Sequence, residues 1–78
     1  MVDELKNKHW VVLFHSTSLA IRAEKVCKKT GIKVKLIPTP RHLSSDCGIA
    51  LRFHGEDREK VLEAFSEAKL EYERIAPL

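Results

Sequence analysis

Two cysteines in 78 residues cannot staple a small fold, and Cys27 and Cys47 are not spaced as a CxxC pair. A disulfide framework is excluded on that count, and free thiols of a reducing, cytoplasmic compartment are expected. There is no apolar run of about 20 residues, so the sequence offers no membrane span. The opening stretch "MVDELKNK" is charged and predicts no signal peptide. Only three glycines are present, and none belongs to a phosphate-cradling loop. The alternation in "GIALRFH" (48–54) turns Ala50, Arg52 and His54 outward and Phe53 inward, so the outward face lacks the stacking aromatics of an RNA-recognition sheet. His9, His15, His42 and His54 do not combine with the cysteines into a structural zinc spacing. No Ser–His–Asp or Cys–His–Asn order suggests hydrolysis. Neither cofactor, metal, nucleic acid nor membrane is therefore expected as a partner.

What is there fits one domain, residues 1–78. A core of this size is marginal, so most apolar side chains must pack and few can line a deep pocket. Binding is expected on a loop or a sheet face. The formal charge of +3 is unevenly spread. Residues 1–55 hold ten Lys/Arg and four Asp/Glu, while residues 56–78 hold four and seven. The first part is basic and suits an anionic ligand or an acidic partner.

Periodicity supplies the elements. "HWVVLFH" (9–15) is almost continuously apolar and β-prone, as a central strand covered on both faces must be. "STS" (16–18) offers helix caps. Leu19, Ala20, Ala23, Val26 and Cys27 then form a helical stripe over 18–30, with Gly31 placed to end it. "KVKLI" (33–37) alternates with Val34 and Leu36 inward, and its lysines suit an edge. "GIALRFH" (48–54) alternates again, with Ile49, Leu51 and Phe53 on one face and Ala50, Arg52 and His54 on the other. A second helix is predicted over 56–69 and a last strand over 71–76. The order βαββαβ predicts an α+β, ferredoxin-like split βαβ fold. Its four-stranded antiparallel sheet has strand order 4-1-3-2, with two helices on one face.

One segment is not explained by the fold. "PTPRHLSSDCG" (38–48) is far longer than a hairpin connection needs. The topology sets the end of strand 1, the end of strand 2, the start of strand 3 and the start of helix 1 together. Cys47 is expected beside Phe14, His15 and the Ser16–Thr17–Ser18 turn. Backbone N–H groups, the positive end of the helix dipole, Arg41 and His42 would all favour a thiolate there. Cys27, on the apolar stripe, is expected to be a small core residue.

Phe14 and Ser16, Ala20 and "AEK" (23–25), "LIPTPR" (36–41) and "SSDCGIALR" (44–52) together resemble a family of short bacterial and archaeal proteins described as "putative selenium/sulfur carrier protein-like". The resemblance spans about residues 11–53. It implies that Cys47 holds sulfur or selenium as a persulfide or selenopersulfide. Arg41, Ser44, Ser45, Gly48 and Arg52 would be its motif neighbours, and the expected topology adds His42, Ser16 and Thr17 to the binding set. It further implies a donor enzyme and an acceptor enzyme as partners, and a carrier rather than an autonomous enzyme.

Two other readings suit the same residues. One is a ferredoxin-like regulatory module that binds a small anion or a protein through its basic end. The other is a single-cysteine thiol-redox protein. Strand 1 is apolar on both sides, so the sheet face away from the helices, with Val11 and Leu13 or their alternates, is expected to expose a patch that a second copy could cover as a homodimer.

Overall fold

The computed structural model describes residues 9–43 and 48–78. Among them the strands are β1 (His9–Leu13), β2 (Val34–Pro38), β3 (Ile49–His54) and β4 (Arg74–Pro77). The helices are α1 (Thr17–Lys29) and α2 (Arg58–Glu67), the latter entered through a short 3-10 turn, Gly55–Asp57. The strands form one sheet in the order β2-β3-β1-β4. Every neighbouring pair is antiparallel. This is the expected ferredoxin-like α+β arrangement, read from the opposite edge. No helix among the described residues is long and apolar enough to cross a membrane.

The period-2 pattern of the strands separates two apolar clusters. Trp10, Val12, Phe14, Val34, Leu36, Ile49, Leu51, Phe53 and Ile75 share the core with Ala20, Ala23 and Cys27 of α1 and with Val61, Ala64 and Phe65 of α2. Phe14 meets Phe65 edge-on, with ring centroids 6.0 Å apart. The alternate residues, Val11, Leu13 and Ala50, form a second cluster with Leu43, flanked by Ile37 and Ala76. No helical residue takes part in it. Val11, Leu13 and Ala50 are nonetheless fully buried. The patch expected around Val11 and Leu13 is therefore not exposed. The reason is that the loop after β2 brings Leu43 back onto this face.

Both helices end in the same way. Beyond α1, Gly31 N–H donates to Lys28 O and Ile32 N–H to Cys27 O, with Gly31 at φ 83°. Beyond α2, Lys69 N–H donates to Ser66 O and Leu70 N–H to Phe65 O, with Lys69 at φ 53°. These are paired Schellman closures, each followed by an apolar residue, Ile32 or Leu70, that drops into the core. The second closure also explains why β4 starts at Arg74 rather than at the expected residue 71. Leu70 is still committed to the helix end, and Tyr72 rests against Phe65 at 5.7 Å. Pairing with β1 begins only where Glu73 N–H reaches Leu13 O at 2.7 Å. β1 likewise stops at Leu13 rather than at residue 15. Phe14 is buried on the helix side, and His15 is exposed just before the α1 cap.

Candidate functional site

The loop after β2 is built from its two ends inward. Thr39 N–H donates to Gly48 O at 3.1 Å, which closes the stem beyond the Pro38–Ile49 pair. A turn follows, in which Leu43 N–H donates to Pro40 O at 3.0 Å. Arg41 and His42 occupy the tip and are exposed, while Leu43 is turned inward onto Val11, Leu13 and Ala50. The loop is thus pinned at its stem and at one apolar side chain. Ser44, Ser45, Asp46 and Cys47 lie between these anchors in the sequence and outside the described residues.

The surroundings of that segment match the expected convergence. Leu13 at the end of β1 pairs with Ala50 near the start of β3, and Pro38 at the end of β2 pairs with Ile49. Gly48 is exposed, with open space where a Cβ would stand. The start of α1 follows β1 after His15. Ser16 caps it, its hydroxyl oxygen accepting from Leu19 N–H at 3.3 Å. Thr17 is the first helical residue. Exposed His15, Ser16 and Thr17 therefore belong to the same end of the sheet as Gly48.

Arg52 does not belong to that end. It is half-buried on β3, four residues beyond Gly48, or roughly 13 Å along a strand. Its register partners are Val11 on β1 and Lys35 on β2. Motif adjacency in sequence placed it with the loop, and strand extension carries it away. Cys27 is fully buried on the inner side of α1, as expected. Burial pushes its thiol up to about 11, because a thiolate there would lose its hydration. It stays a protonated, unreactive thiol at neutral pH. Among the described residues, no group of three or more His, Cys, Asp or Glu is placed to hold a metal ion.

Leu43 is the residue that sequence reasoning missed. The signal was available: it is the one large aliphatic side chain in an otherwise polar, proline-stiffened loop. A lone leucine in such a setting marks an anchor.

Comparison with known proteins gives the same family as the motif. The profile of the family described as "Putative Se/S carrier protein-like" matches residues 9–77. A "Putative sulfur carrier protein" of Aquifex aeolicus (strain VF5) is 38% identical over 85 aligned positions, covering 92% of this chain. The chain spans 43% of the length of that relative. No solved structure matches the chain.

Proposed function

We propose, from the premise that the chain belongs to the Se/S carrier protein-like family, that Cys47 is the atom-carrying residue and works as a stoichiometric carrier. The observation that supports this most directly is the pinned loop. A carrier must present a nucleophile on a protruding segment that another enzyme's active site can admit. It must also keep that segment's base fixed, so that the thiol is delivered in one orientation. The Thr39–Gly48 closure and the Leu43 anchor supply the base. Exposed Arg41, His42 and Gly48 flank the segment, and open space at Gly48 lets a partner's backbone approach.

The transfer needs no cofactor. The Cys47 thiolate attacks the outer sulfur of a persulfide on a desulfurase-type donor. A new S–S bond forms on Cys47, the donor's S–S bond breaks, and the donor cysteine leaves as a thiolate. The cycle closes when a nucleophile of the acceptor takes the outer sulfur and releases the Cys47 thiolate. Selenium follows the same path as a selenopersulfide. The persulfide is an anion, and Arg41, the hydroxyls of Ser44 and Ser45, and the first turn of α1 after Ser16 and Thr17 would stabilise it.

The test is the intact mass of the protein, purified without reductant and then incubated with a persulfide donor. One added sulfur, removed by dithiothreitol and mapped to Cys47, is the expected result. Cys27 serves as the internal control, because its thiol is buried and held protonated. At neutral pH iodoacetamide should label Cys47 well ahead of Cys27 in the folded protein. An adduct confined to Cys27, or an unmodified mass under these conditions, would sink the carrier reading.

A further inference from the structure

The face that Leu43 covers does not end at Leu43. Beyond Val11 the same side of the sheet turns from apolar to basic. His9 of β1 is paired in register with His54 of β3, and Arg52 of β3 with Lys35 of β2. The imidazole rings of His9 and His54 stand 4.7 Å apart, tilted by 39°. Together with Lys33, these four line a shallow depression of about 110 Å³, whose remaining walls are Val34 and Phe53. No carboxylate lines it among the described residues. Glu56 and Asp57 line the adjoining hollow, which Lys33 and His54 also border, together with Lys60, which pairs with Asp57 at 3.9 Å.

This arrangement costs stability. Like charges directly opposed on neighbouring strands are unfavourable, and a fold gains nothing by setting lysine against arginine. The ion pairs formed between described residues are Glu24–Lys28 and Asp57–Lys60, both on or beside the helices. Neither relieves the cationic cluster. What would relieve it is an anion seated in the depression that these cations line, whose volume suits one tetrahedral group.

We propose that His9, Lys33, Lys35, Arg52 and His54 form a binding site for a phosphate group, either free inorganic phosphate or the terminal phosphate of a small monoester. The site is distinct from the Cys47 segment. It lies on the far half of β3, and it takes its ligand by charge and hydrogen bonding, with no covalent step. A monoester would place its phosphate in the depression and leave its organic part outside, since 110 Å³ holds little more than the phosphate itself.

The experiment is a titration followed by amide and imidazole NMR shifts, with inorganic phosphate in one arm and adenosine monophosphate in the other. Ionic strength is matched with chloride. The expected result is a saturable shift confined to residues 9, 33–35 and 52–54. The arm that saturates at lower concentration identifies the source of the phosphate. Lys35→Gln combined with Arg52→Gln should weaken binding about tenfold or more, the loss of two charge-assisted hydrogen bonds. Lys33→Gln alone should weaken it less. Cys47→Ser should bind as the parent does, so the result stands or falls independently of the carrier reading. Shifts that fail to saturate in both arms, or that spread over every exposed lysine equally, would overturn the proposal.

Discussion

The two faces of the sheet are buried by different means. On one face two amphipathic helices lay Ala20, Ala23, Cys27, Val61, Ala64 and Phe65 across four strands. On the other, Leu43 at the edge of a polar loop seals Val11, Leu13 and Ala50, and the rest of the face is left basic. The helix face is the fold's stability. The loop face spends little apolar material and leaves room for chemistry at both of its ends. A chain of 78 residues gains from this division, since it cannot bury a large core and also carve a pocket.

The comparison can be broken most forcefully at Phe65. It is 1% exposed, and its ring meets both Phe14 and Tyr72. Phe65→Ala should cost about 3–5 kcal/mol, as for other fully buried aromatics. Urea melts should show a shifted midpoint for the whole protein. Leu43→Ala should cost about 2 kcal/mol, the low end for a buried leucine, because the site borders solvent. Its signature should also be local. Amides of Val11, Leu13 and Ala50 should exchange faster while those of α1 and α2 hold their protection. If Leu43→Ala costs as much as Phe65→Ala, the division between the faces is wrong. The smallest effect is expected at Lys35. Lys35→Glu replaces a like-charged pair with Arg52 by an opposite one and should raise stability by roughly 0.2–1 kcal/mol. The same change should abolish phosphate binding. Stability and binding moving in opposite directions is the result that a merely solvated surface would not give.

The helix face was legible in the sequence because it obeys two simple periods. Alternation in "GIALRFH" and the stripe from Leu19 to Cys27 fixed which side chains point inward, and the element order then gave the sheet order. The β4 start was misplaced by three residues, because the closing motif after α2 uses Lys69 where a glycine is usual. Without that glycine no local signal marks the closure, and the predicted helix over 56–69 and strand over 71–76 leave only residue 70 between them. The loop face was less legible for a different reason. Among the described residues, the side chain laid over it from outside the sheet is Leu43, which returns from a distant point of the chain, and no local period records such a return. Around the proposed cysteine, the convergence of Gly48 with the ends of β1 and β2 followed from topology. The separation of Arg52 from Gly48 follows from strand rise, and motif proximity concealed it.

The outer strands carry a further consequence. β2 ends at Pro38 and β4 at Pro77, and the exposed residues of these strands include Lys35 and Arg74. A proline cannot donate to a ladder, and repeated cations discourage a second strand from lying alongside. On both borders of the sheet a terminal proline and an exposed cation thus work against the commonest route of runaway self-association, the stacking of one chain's edge on the next.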